Sequence, residues 1–127
     1  MAEINHGIIN YLGVVRKAVF DRSFELITNV DIAGKKLIFQ VRRNPNDTLI
    51  LDFSEVDNSL QVANISDIEG TDKTSRTITL HKAANEMSVL PSFYKSGLWA
   101  YSDQTDGILL ATGFFEVVDK IPQTPTL

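Results

Sequence analysis

An all-β sandwich is the fold this sequence predicts, and three observations predict it. Apolar residues recur with a period of two, not the helical 3.6. Turn signals separate the apolar runs at intervals of roughly 8 to 12 residues. Helix character is confined to one short segment. About 7–8 short antiparallel strands with one short helical turn follow from this pattern. A small barrel has similar spacing, but the strands are short, the connections are uneven and no closing register is visible. Two packed sheets are therefore expected.

Two apolar runs open the chain, "NYLGVV" (10–15) and "SFELIT" (23–28). "NVDIAGKK" (29–36) turns it, with Gly34 as the residue that takes a positive φ. In "KKLIFQVRR" (35–43), Leu37, Phe39 and Val41 alternate with Ile38, Gln40 and Arg42, the pattern of a half-buried strand. "NPND" (44–47) has turn chemistry, since Pro45 fixes φ and the Asn and Asp side chains bond to nearby backbone. "TLILDFS" (48–54) returns, so residues 35–54 read as a hairpin. A weak strand is expected at 60–65, followed by a long loop, "SDIEGTDKTS". In "RTITLHK" (76–82), Ile78 and Leu80 alternate with Thr77, Thr79 and His81, strong strand chemistry.

"AANEMSVLPS" (83–92) holds good helix formers and is stopped by Pro91, so one or two helical turns are expected there. Residues 98–101 form a strand, and "SDQTDG" turns it with Gly107 in the left-handed position. Residues 108–112 return. Gly113 marks a bulge or a close backbone approach, and residues 114–118 resume the strand. Residues 1–11 read as an N-terminal arm, 12–121 as the sandwich, and 122–127 as a Pro-broken tail.

Composition narrows the function. The chain has 127 residues, enough for one domain with a real core. Its net charge of −4 opposes phosphate-backbone and anionic-membrane partners, which need clustered Lys and Arg. With no cysteine, disulfides and thiolate metal sites are excluded, and assembly in a reducing cytosol is compatible with the composition. The N-terminus lacks the cationic start and apolar segment of a signal peptide, and no run approaches the ~20 residues that span a bilayer.

Nothing in the sequence selects a catalytic constellation. His6 and His81 are far apart with no sign of convergence, and no HExxH, P-loop, GxGxxG or GxSxG pattern occurs. Acids cluster in loops, with Asp67, Glu69 and Asp72 in one and Asp103 and Asp106 in another, but without EF-hand spacing. "NDT" and "NIS" match the glycosylation tripeptide by chance. No catalytic residue, metal or cofactor is expected.

The aromatics carry more. Phe93, Tyr94, Trp99, Tyr101, Phe114 and Phe115 crowd into one stretch. They read either as a platform for a carbohydrate or other ligand, or as core and protein interface. Trp99 and Tyr101 share one strand face, and Leu98 and Ala100 the other. Phe114 and Phe115 must face opposite sides unless Gly113 bulges the chain, so one of them sits outside the core. Tyr94, Trp99, Tyr101, Phe114 and Phe115 are therefore the candidate interface or ligand residues.

Three segments in order, "KAVFDRSFELITNVDIAGKKLIFQVRR", "RTITLHKAANEMSVLPS" and "GLWAYSDQTDGILLATGFFEVVDKI", resemble the small immunoglobulin-like β-sandwich modules of tailed bacteriophages. The likeness runs over residues 12–121. In those phages such modules occur in baseplate, tail, neck and fibre-anchoring proteins. The resemblance implies a structural virion component, a docking or adaptor module with no enzymatic activity. It implies assembly in the host bacterial cytoplasm, with other virion proteins and copies of itself as partners. No nucleic acid, membrane or small-molecule substrate is expected. Residues 2–11 and 122–127 are candidate docking arms. The alternative expectation is a carbohydrate- or receptor-binding β-sandwich, which needs at least two of the five aromatics exposed together.

Overall fold

The structure is a computed structural model that describes residues 7–44, 48–102 and 106–119. The expected sandwich is there. One sheet contains β1 (Gly7–Ile8), β2 (Tyr11–Val15), β4 (Lys36–Arg42), β5 (Leu49–Ser54), β8 (Ser92–Tyr101) and β9 (Ile108–Val118). Its order is β1-β9-β8-β4-β5, with β2 also on β9. The other sheet contains β3 (Phe20–Thr28), β6 (Leu60–Asp67) and β7 (Thr74–Lys82), ordered β3-β7-β6. All pairings are antiparallel except those of β1 and β2, which run parallel to β9. Residues 45–47, 103–105, 1–6 and 120–127 lie outside the described residues, and with them Pro45, His6 and the C-terminal tail.

Period two decides which side chains meet between the sheets. Leu37, Phe39 and Val41 on β4 and Ile78 and Leu80 on β7 are buried, as the alternation predicts. At the centre, Phe20 packs against Phe53 and Phe115 at centroid distances of 5.3 and 5.5 Å, and Phe39 against Phe53 at 5.9 Å. Such ring contacts add to the area buried. On β8, Tyr94 is also buried, and its hydroxyl donates to the Leu90 carbonyl four residues upstream at 2.5 Å. This is the tyrosine corner of immunoglobulin-like sandwiches, a tie between the start of one strand and the connection before it.

Several boundaries differ from the sequence reading, each for a local reason. β8 begins at Ser92 rather than 98, because polar and small residues at 95–97 hide the alternation. β9 is continuous through Gly113, and its irregularity lies between its pairings with Leu98 and Trp99, where Leu110 and Ala111 are both buried. The helical segment shrinks to a 3-10 turn, Ala84–Glu86. The loop between β6 and β7 is shorter than expected, with Gly70 at φ 80 in its turn. Gly34 has the positive φ predicted for it, at 76. Gly107 does not take the left-handed position: only Gly13, Gly34 and Gly70 have positive φ among the described glycines. Its lack of a side chain matters because a methyl there would lie 3.3 Å from Cε3 of Trp99.

Residues 7–11 pair with β9 and form the first edge of the larger sheet. Ile9 and Asn10 join β1 to β2. The Ile9 N–H bonds to the Thr112 carbonyl, and the Asn10 side chain accepts the Phe114 N–H, both at 2.9 Å. Gly113 is where this chain crosses closest. A Cβ there would lie 1.7 Å from the Ile9 carbonyl oxygen. Of the two readings of Gly113, close backbone approach is the one the structure bears out. Further on, Gly13 at φ 69 makes a bulge, and its freed N–H bonds to the Glu116 carboxylate at 2.9 Å.

Tyr11 enters the core edge-on to Phe20, Phe39 and Phe115. Its hydroxyl is buried with no hydrogen-bond partner among the described residues. Desolvation pushes the phenol from 10.0 up to about 12, against an opposing pull from Arg22. Because the folded value is the higher one, this stability is complete below pH 10 and is lost as pH rises through about 12. Tyr11→Phe removes the orphaned hydroxyl. It is expected to melt at or above the wild-type temperature at neutral pH and to lose less stability at alkaline pH. Thermal denaturation at both pH values checks this, and a clear loss at neutral pH would contradict it.

Candidate functional site

The alternation on β8 sends Tyr94, Ser96, Leu98 and Ala100 inward. Phe93, Lys95, Gly97, Trp99 and Tyr101 belong to the outer face of the larger sheet. The sequence paired Trp99 with Tyr101 but did not say which face was buried. The opposite sheet settles that: Leu98 and Ala100 are fully buried beneath it, and Trp99 and Tyr101 are half-buried on the outside. Two of the five candidate aromatics are thereby corrected. Tyr94 and Phe115 are core residues, 1% and 0% exposed, and cannot meet a partner. Phe114 and Phe115 do face opposite sides, with Phe114 outward.

The outer face gains a residue outside that set of five. Phe93 shares the face of Trp99 by simple alternation, and that signal could have found it. Phe93 is 53% exposed and Phe114 43%, and their rings lie 5.0 Å apart at 43°. Ile8, at 76% exposure, lines the same hollow of about 430 Å³ as Phe114, together with Asn10 and Gly113. Only the pairing of β1 with β9 brings Ile8 here, and no local pattern announces it.

An adjoining hollow of about 360 Å³ is lined by Trp99, Gln40, Arg42 and Leu109, and Lys95 and Thr112 border both hollows. Gly97 forms its floor. A methyl there would come within 3.1 Å of the Trp99 Nε1. Arg42 stands directly across from Lys95 on the neighbouring strand, and its Nη2 donates to Gln40 at 3.3 Å. The face therefore couples apolar anchors to a border of cations and hydrogen-bonding groups on a chain of net charge −4. Apolar centres with polar surrounds are the composition of binding surfaces.

Other sequence candidates do not join this face. His81 lies 4.0 Å from Asp21 on the smaller sheet. Asp106 pairs with Lys35 at 3.0 Å and accepts the Ser102 N–H at 2.7 Å, tying two connections together. Among the described residues no three His, Cys, Asp or Glu side chains come together as metal ligands.

No protein-family model and no curated protein matches the chain. Among solved structures it is similar to a family 123 glycoside hydrolase from Clostridium perfringens, studied for glycolipid glycan hydrolysis. The match has a TM-score of 0.44 and 13% identity, and covers 92% of this chain and 24% of that one. This chain thus spans about a quarter of that hydrolase, a likeness too distant to carry its activity across.

Proposed function

We propose that this chain is a structural docking module of a tailed-phage virion, joining its neighbours through the outer face of the larger sheet. The observation that carries the docking role is the exposed Phe93–Phe114 pair beside Ile8. Exposed rings in contact are costly to leave in water and gain when a second apolar surface covers them. The virion setting rests on the resemblance of residues 12–121 to phage sandwich modules. The test is the size of the purified protein by light scattering, with electron microscopy of any multimer. Wild type is expected to form a defined multimer. The Phe93→Ser, Phe114→Ser double variant is expected to be monomeric with an unchanged circular dichroism spectrum. Identical assembly of the two proteins would reject this face as the joint.

One observation favours a second reading, a glycan-binding module. Trp99 lines a hollow alongside Gln40, Arg42 and Thr112, where an indole and hydrogen-bonding side chains can meet a sugar. A glycan that quenches Trp99 fluorescence would support it, and a glycan array without hits would remove it.

A further inference from the structure

The inward face of β7 carries a cation near each end. Arg76 is 8% exposed and Lys82 7%, and Ile78 and Leu80 lie between them. Lys82 has local compensation: its Nζ lies 5.4 Å from the centre of the Phe53 ring, and it is close enough to Asp57 to help lower that carboxyl's pKa, behind the Ser59 hydrogen bonds. Among the described residues no aromatic ring lies under Arg76. Its hydrogen bond among the described residues runs from Nη2 to the neutral Thr74 hydroxyl at 2.9 Å. Among the described residues its buried Nε has no hydrogen-bond partner and no carboxylate comes within ion-pair distance. Guanidinium does not shed its proton in a protein, so the charge persists. A buried cation without an anion is among the least favourable arrangements in a protein interior.

Arg76 lines a cleft of about 540 Å³ between the sheets, beside the edge strand β6. Val30, Ile32, Leu37, Val62 and Ile65 give it an apolar part, beside a polar part that includes Thr74 and Arg76. Three carboxylates border it. Asp31 and Glu55 are held by the backbone N–H groups of Ala33 and Leu37, at 3.1 and 2.6 Å, and Asp67 is exposed on β6. Lys35, the other cation at the cleft, is committed to Asp106. This border repels a multiply charged anion more strongly than a single carboxylate, whose two oxygens the guanidinium fork matches. We propose that the cleft binds a single carboxylate carried on a short aliphatic body, with Arg76 as its counter-ion. That group can come from a free acid or from an acidic side chain among apolar neighbours in a peptide.

Four probes test this against wild type and Arg76→Met: hexanoate, its neutral analogue hexanamide, inorganic phosphate, and the blocked peptide acetyl-Leu-Glu-Leu-amide. Amide chemical shifts and the melting midpoint are read together. Hexanoate or the peptide is expected to raise the wild-type midpoint and shift the amides of residues 30–33 and 74–76. Hexanamide and phosphate should bind roughly tenfold to a hundredfold more weakly. The better of the two carboxylates identifies the source. Arg76→Met should lose the response and, without ligand, melt no lower than wild type. Should that variant fail to fold, Asp67→Asn on the exposed rim is the second probe, expected to tighten hexanoate binding a few-fold. No response to either carboxylate overturns the proposal. So does an equal response in Arg76→Met, or an Asp67→Asn variant that binds no more tightly.

Discussion

Gly113→Ala is expected to cost about 3 kcal/mol or more, at the upper end of what overpacking does. The added methyl would sit 1.7 Å from the Ile9 carbonyl oxygen and 2.9 Å from the Asn10 side-chain oxygen. The nearest obstacle is backbone, which cannot rotate aside as a long side chain can. Relief requires the first edge of the sheet to move off β9. That movement removes the Ile9–Thr112 and Asn10–Phe114 hydrogen bonds and the pairing of Gly7 and Ile8 with Ala111 and Thr112. Chemical denaturation should show the loss, and hydrogen exchange should place it at Ile9 and Phe114. A variant with wild-type stability and slow exchange at both amides would show that the two segments are not held this closely. The same variant tests the binding face, because Ile8 leaves with the edge.

Phe115→Ala and Phe114→Ala, one residue apart, are expected to differ several-fold in cost. Phe115 is fully buried against Tyr11, Phe20 and Phe39, with centroids at 6.0, 5.5 and 6.3 Å. Truncating it loses the transfer energy of the ring and leaves a cavity in a rigid sheet sandwich, about 3–5 kcal/mol. Against a typical domain stability of roughly 5–15 kcal/mol, that lowers the melting point by about 10–20 °C. Phe114 lies outside, so its truncation should stay within about 1 kcal/mol. Its effect should fall on association instead. Thermal melts of the two variants make the comparison. Equal costs would mean that the alternation across Gly113 has been assigned to the wrong faces.

Legibility in the sequence follows from how local each feature is. Leu37, Phe39 and Val41 could be placed on one face because a strand's two faces are fixed by covalent geometry. The outward turn of Phe114 or Phe115 followed from the same rule. Which of the two turned out did not, since that depends on where the other sheet lies. Tyr94 shows the limit from another side. Its ring looks like any surface aromatic in sequence, yet its hydroxyl closes a corner onto Leu90. Gly107 shows it again: a turn glycine by its neighbours, it has no positive φ, and its bareness accommodates the Trp99 indole. The outer face combines both kinds of information. Phe93, Trp99 and Tyr101 share it by period two, but Ile8 and Arg42 reach it from distant strands.

The residues by themselves determined that this chain makes strands, about where they turn, and which side chains must travel together. Those properties depend on backbone sterics and on the order of apolar and polar groups within a few positions. Tertiary structure alone decided which set of travellers is buried, that the first edge runs parallel along β9, and that Arg76 lies at the inter-sheet cleft with no carboxylate among the described residues within ion-pair distance. Burial is a property of what lies opposite. In a sandwich the opposing residue comes from a strand far away in the chain, where no local pattern can reach.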